Sequence, residues 1–220
     1  MSSLRVVVAD DEALFRGGLA LILDAQPELT VVAEACDGAE AVDAVRTHRP
    51  DVVLMDLQMP VVDGITATQS ITAMSVPTRV LVVTTFGRDE LVYAALRAGA
   101  SGYLLKTVPP RQLVEGVRSV AAGDALLAPS LTRRLIEEWV QRPRPDPNDR
   151  RLSTMTARER EVLVLLAHGE SNAEIAATLH LSESTVKTHV ARVLSKTGSR
   201  DRVHAVVLAY ETGLVIAGSS

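Results

Sequence analysis

Through the first 123 residues, short apolar runs alternate with segments whose apolar residues recur at helical spacing. Arg5–Ala9, Leu29–Ala35, Val52–Met55, Arg79–Val83 and Gly102–Leu105 read as strands. Ala13–Asp24, Ala39–Thr47, Ile65–Met74, Asp89–Ala98 and Pro110–Ala122 read as helices, with Pro110 suited to a first turn. The strand runs are apolar throughout rather than alternating. Strands of that kind are buried on both faces, so the pattern predicts an α/β fold: a five-stranded, parallel, doubly wound sheet of flavodoxin-like type.

The rhythm then changes. Leu131–Val140 has helical spacing, with Leu131, Leu135, Trp139 and Val140 on one side. Arg142–Asp149 has three prolines at alternate positions and no apolar side chain besides them, which predicts an extended, solvated linker. Beyond it only helices are expected. Thr156 and Glu159 form one capping box and Ser171 and Glu174 another. They open helices over Ala157–His168 and from Ser171 to about Leu179. Ser182 caps a third helix running to about Thr197, and Ser199–Glu211 begins a fourth. Two short helices around a tight turn, the second longer and basic, describe a helix-turn-helix. The expected division is 1–123, a connecting segment 124–151, and an all-α four-helix unit at 152–220.

Bulk composition adds limits. Hydrophobic residues make up 47% of the chain but aromatic ones only 3%, so the cores must be aliphatic. No apolar run approaches the ~20 residues of a membrane span, and no signal peptide or membrane contact is expected. The single cysteine, Cys36, excludes an internal disulfide and a cysteine zinc site. Net charge is −5 over 1–123 and +2 over 150–220, and an acidic head with a mildly basic tail is compatible with nucleic-acid binding.

The chemistry gathers at the ends of the strands. Asp10-Asp11-Glu12 follows the first, Asp56 the third, Thr84-Thr85 the fourth and Lys106 the fifth. Taken singly, each has an ordinary role: helix capping for the acidic triplet, a turn for Asp56, strand positions for the threonines, surface for Lys106. Together, at the carboxyl ends of one parallel sheet, they would share one crevice, where such sheets bind ligands. Three carboxylates, a hydroxyl and an amine suit a divalent metal and a phosphoryl group. Without metal the carboxylates are expected to repel one another, by about 1 kcal/mol per pair at ~4 Å in a water-like medium.

Residues 1–123 resemble the receiver domain of bacterial two-component response regulators. The resemblance implies that Asp56 is the phosphoacceptor. Asp10 and Asp11 would hold Mg²⁺ with Asp56 and the main-chain carbonyl of Gln58. Thr84 would be the switch hydroxyl, Tyr103 the switch aromatic, drawn inward on phosphorylation, and Lys106 the partner of the phosphoryl group. Thr107 departs from the acidic residue expected after the lysine. A haloacid dehalogenase-type phosphatase would also form an aspartyl phosphate, but it carries a second aspartate where this chain has Gln58.

Residues 152–214 resemble the LuxR-type helix-turn-helix domain, the output module of the NarL/FixJ class. Helical spacing puts Val186, Val190, Val193 and Leu194 on a core face. The resemblance places Lys187, Thr188 and Ala191 at groove-reading positions. Thr185, Arg192 and Lys196 are candidate phosphate contacts. The implied protein is a cytoplasmic, DNA-binding transcriptional regulator, not an enzyme. Its implied partners are a sensor histidine kinase, double-stranded promoter DNA and a second copy of itself when phosphorylated. The alternative is a regulator of the same fold controlled by a small molecule or without phosphorylation.

Overall fold

The computed structural model describes residues 3–74, 76–85, 89–123 and 150–215. The expected helix at Leu131–Val140 and the linker at Arg142–Asp149 lie outside the described residues. The chain divides into two compact units, Met1–Leu126 and Leu127–Ser220.

In the first unit, strands β1 (Leu4–Ala9), β2 (Leu29–Ala35), β3 (Val52–Met55), β4 (Arg79–Thr84) and β5 (Gly102–Leu105) alternate with helices α1 (Ala13–Asp24), α2 (Gly38–His48), α3 (Gly64–Ala73), α4 (Asp89–Ala98) and α5 (Pro110–Ala122). The strands are all parallel in the order β2-β1-β3-β4-β5. Val6, Val8, Leu54, Leu81 and Val83 share one core with Leu19 and Leu23 of α1 and Leu113 and Val117 of α5. Their strand neighbours Val7, Val53, Met55, Val80 and Val82 are buried as well. Burial on both faces is the reason these strands are uniformly apolar. The strand order reverses between β1 and β3, which opens a crevice at their carboxyl ends.

Two helices start one residue earlier than their spacing suggested, and both starts are glycines behind aspartate caps. Asp37 accepts the Glu40 N–H ahead of α2, and Asp63 accepts the Thr66 N–H ahead of α3. A Cβ on Gly64 would lie 1.9 Å from the Asp56 carbonyl oxygen, so only glycine lets α3 begin directly over β3.

In the second unit α6 (Arg150–Ser153), α7 (Ala157–Ala167), α8 (Asn172–Leu179), α9 (Glu183–Thr197) and α10 (Arg202–Glu211) pack around Val162, Leu163, Leu166, Ile175, Val186, Val193 and Val206. Both expected capping boxes are formed. The short helix α6 falls partly in what the sequence assigned to the connecting segment. The last helix begins at Arg202, not Ser199, because buried Asp201 caps it by accepting the His204 N–H. The turn between α8 and α9 is closed by His180 in the left-handed conformation and by Ser182, which accepts the Thr185 N–H. Arg158 of α7 donates to the Leu179 carbonyl at 2.7 Å, and Tyr210 of α10 to the Ala167 carbonyl at 2.8 Å. Both bonds satisfy helix-end carbonyls that would otherwise lack partners.

Candidate functional site

Three strand ends converge on the Lys106 ammonium. It lies 2.7 Å from Asp10 Oδ2, 3.0 Å from Asp56 Oδ2 and 3.3 Å from Glu12 Oε1. The Phe15 ring covers it, with the centroid 4.5 Å away. The side chains of Lys106, Asp10 and Asp56 are only 5%, 2% and 7% exposed, so these charges interact where water screens poorly. Lys106 is no surface lysine. Burial works against its charge, but hydrogen bonds to Asp10 and Asp56 hold its pKa above the ordinary lysine value. Burial pushes the Asp10 carboxyl above its usual range, against the Lys106 and Glu12 hydrogen bonds that favour the charged form.

The Asp56 charge adds to that upward shift at Asp10, so the expected repulsion between carboxylates is present, and the ammonium between Asp10 and Asp56 offsets part of it. Asp11 remains exposed at the rim. The capping role for the acidic triplet is displaced in part. Glu12 occupies the N-cap of α1 but makes no side-chain cap bond, and its carboxylate turns to Lys106.

Carboxylate oxygens of Asp10, Asp11 and Asp56 lie within 4.8 Å of one another. That is a hard, all-oxygen donor set, which suits Mg²⁺. Gln58 is exposed on the loop after β3, beside buried Leu57 and Met59. Thr84 is 1% exposed, and its Oγ1 is buried with no hydrogen-bond partner. A buried hydroxyl left unpaired costs about 1–3 kcal/mol, so this one has an unused capacity to donate a hydrogen bond. The Lys106 N–H donates to the Thr84 carbonyl at 2.8 Å, which ties the two residues' strand ends together. Tyr103 is 5% exposed, so its ring is buried.

The sequence did not mark Phe15 or Arg16 as parts of this cluster, and it gave Glu12 no role beyond membership of the acidic triplet. Arg16 donates to the Asp10 carbonyl at 2.7 Å and pairs with Glu34 at 3.2 Å, anchoring the backbone of a cluster residue. Helical spacing from the acidic triplet was the available signal, since residues 15 and 16 lie one turn beyond it. Cys36, Asp37 and Glu40 also stand close together. There Asp37 caps α2 and Glu40 accepts the Cys36 N–H, so their oxygens serve the local backbone.

In the second unit, α9 divides as its spacing predicted. Val186 and Val193 are fully buried, and Val190 and Leu194 pack partly against the same core. Lys187, Thr188, Ala191 and Arg192 are exposed together along the opposite face. Thr185 is half-buried at the N-terminus of the helix, its hydroxyl 2.8 Å from Ser182 Oγ. The Thr188 hydroxyl donates to the Ser184 carbonyl at 3.0 Å. Lys196 stands apart from this group, because its ammonium lies 2.7 Å from the nearly buried Glu159 carboxylate. The Lys196 contact, together with the Thr156 N–H, draws the Glu159 pKa from its ordinary 4.5 down to about 2.

The profile of the response regulator receiver domain matches residues 6–118, and that of the luxR family of bacterial regulatory proteins matches residues 153–209. The chain is a two-component response regulator. It carries a receiver domain and a LuxR-type DNA-binding domain, and it is a transcription factor, not an enzyme. This response regulator is 40% identical over 212 residues to the transcriptional regulatory protein YxjL of Bacillus subtilis, covering 96% of the chain and 97% of that protein. It is 41% identical over 212 residues to the probable transcriptional regulatory protein NarL of Mycobacterium tuberculosis, covering 96% of each. Among solved structures, the response regulator ChrA of a heme-sensing two-component system is similar to it, with 39% identity and a TM-score of 0.54, covering 98% of the chain and all of that structure. Among the described residues no helix is long and apolar enough to cross a membrane.

Proposed function

We propose that Asp56 of this response regulator accepts a phosphoryl group from a phosphohistidine on a sensor histidine kinase, and that phosphorylation controls binding of the second unit to promoter DNA in the cytoplasm. The observation that carries this reading is the Lys106 ammonium bridging Asp10 and Asp56, beside a buried Thr84 hydroxyl with no partner.

An Asp56 carboxylate oxygen attacks phosphorus. The new O–P bond forms as the N–P bond to the donor imidazole breaks, and the electron pair of that bond leaves on the imidazole nitrogen. The Lys106 ammonium exchanges a carboxylate oxygen for a phosphoryl oxygen, neutralising charge where it accumulates. The Thr84 hydroxyl donates to another phosphoryl oxygen and so gains the partner it lacks. Asp10, Asp11, Asp56 and the Gln58 carbonyl would hold Mg²⁺, which supplies further neutralisation of the transferring group. Tyr103 is buried on β5, the strand that ends just before Lys106, and would be the switch aromatic.

On the same reading, residues 1–123 are the receiver, 124–151 connect, and 152–220 bind DNA. Lys187, Thr188 and Ala191 face base edges, and Thr185 and Arg192 face phosphates. A small helix-turn-helix reads few base pairs, so two copies on paired half-sites give useful specificity, and a phosphorylated homodimer supplies them.

The test is mass measurement of the full chain incubated with Mg²⁺ and acetyl phosphate. The wild type is expected to gain one phosphoryl group and Asp56→Asn none. Full labelling of Asp56→Asn would reject Asp56 as the acceptor.

A further inference from the structure

We propose that Lys196 and Glu159 are a positioning pair that sets the orientation of the DNA-reading helix α9, and that Lys196 is not a phosphate contact. The inference rests on the reading of α9 as the helix that meets DNA.

Glu159 lies in the first turn of α7 and Lys196 in the last turn of α9, 37 residues further along. The Glu159 side chain is 4% exposed, and Lys196 keeps 34% of its side chain in solvent. One oxygen, Glu159 Oε2, accepts both the Lys196 ammonium at 2.7 Å and the Thr156 N–H at 2.7 Å. The Glu159 N–H returns a bond to Thr156 Oγ1, closing the capping box. The carboxylate is therefore fixed by the start of α7 before the lysine reaches it. A cation in the last turn of α9 also suits the negative end of that helix.

Moving Lys196 to a phosphate would leave a buried carboxylate without its cation, which is a costly state. The pair instead pins the carboxyl end of α9. Ser182 fixes the amino end, and Val186 and Val193 fix the buried face. Lys187 and Ala191 ride on the same rigid rod, roughly 14 and 8 Å along the axis from Lys196 at 1.5 Å per residue. A small rotation at the pinned end is thus delivered to the side chains that face the groove.

The experiment uses the full chain and a duplex that the wild type selects from a random-sequence library. Dissociation constants are measured across a series of salt concentrations for wild type, Lys196→Gln, Lys196→Arg, Glu159→Gln and the double Gln variant. Melting curves confirm that each is folded at the assay temperature. A positioning pair predicts that each Gln variant weakens binding about tenfold and that the double variant is no weaker than either single. It also predicts that Lys196→Arg keeps its affinity and that the salt slope is unchanged. A phosphate contact predicts a slope flatter by about 0.9 for Lys196→Gln, and tighter binding by Glu159→Gln because the lysine is released. Either result overturns the proposal, as does unchanged affinity in folded Lys196→Gln. If Glu159→Gln fails to fold, the slope of the half-exposed Lys196→Gln still decides. If the wild type selects no duplex at all, the DNA-binding reading itself falls, an outcome distinct from the others.

Discussion

At the residue scale, Lys106 does more than wait for a phosphoryl group. It is held between Asp10 and Asp56, under Phe15, with Glu12 at the rim. A divalent ion using those carboxylates would share them with the ammonium and be repelled by its charge. Lys106→Ala is expected to lower the stability of the metal-free receiver by about 3 kcal/mol, because two buried carboxylates lose their cation. Mg²⁺ should then raise its melting temperature by more than it raises that of the wild type. A smaller rise in Lys106→Ala would mean that the lysine does not compete with the metal. At saturation with 100 times the dissociation constant, binding stabilises by about 2.7 kcal/mol, which is large enough to read in a melt.

At the scale of elements, the loop between β3 and α3 brings strand and helix into close contact beside Asp56. Gly64 leaves no room for a side chain, and Gly38 meets the Val62 carbonyl from the neighbouring loop, donating to it at 2.9 Å. Between them Val61, 87% exposed, has φ +63°, a conformation that β-branched residues rarely adopt. The two positions make opposite predictions for urea denaturation. Gly64→Ala should destabilise the receiver by more than about 3 kcal/mol, since the added methyl meets fixed backbone. Val61→Gly should stabilise it by up to about 1 kcal/mol, the strain relieved less the backbone entropy that glycine loses. Equal effects at the two sites would show that the loop adapts and that neither constraint holds.

At the scale of the whole molecule, the two units carry separate chemistry on one chain. Lys187→Ala should weaken specific DNA binding by about tenfold and flatten its salt slope only if the ammonium also meets phosphate, while Asp56 labels at the wild-type rate. Thr84→Ala should still accept the phosphoryl group, but its DNA affinity should respond little to phosphorylation. Titration of a promoter fragment with both variants, before and after acetyl phosphate, checks this alongside oligomer mass. In the wild type, phosphorylation should increase both mass and affinity, because pairing of receivers raises the effective concentration of the second DNA-binding unit. If neither rises, control by association is excluded even though both units remain what their folds make them.

Much of this protein was legible before any coordinates. The uniform apolar runs determined a parallel sheet covered on both sides, because a strand buried on two faces has no polar position to show. The reactive residues stood out because each followed such a run, and parallel strands put their carboxyl ends on one side. Capping boxes at Thr156 and Ser171 marked helix starts for a local reason, since the bonds they make span three residues. Other features depended on residues far apart in the chain. Lys106 lies 96 positions from Asp10 and 50 from Asp56, so nothing local distinguishes its buried ammonium from that of a surface lysine. The unpaired Thr84 hydroxyl and the buried Tyr103 follow from what packs around them. Lys196 read as a basic residue on a basic helix, and only its approach to Glu159 across 37 residues turned its charge toward the protein. The sequence carried the elements and their local bonds because those depend on neighbours. Which charge neutralises which was decided by the tertiary structure, because Coulomb energy depends on distance in space and on burial, neither of which is written along the chain.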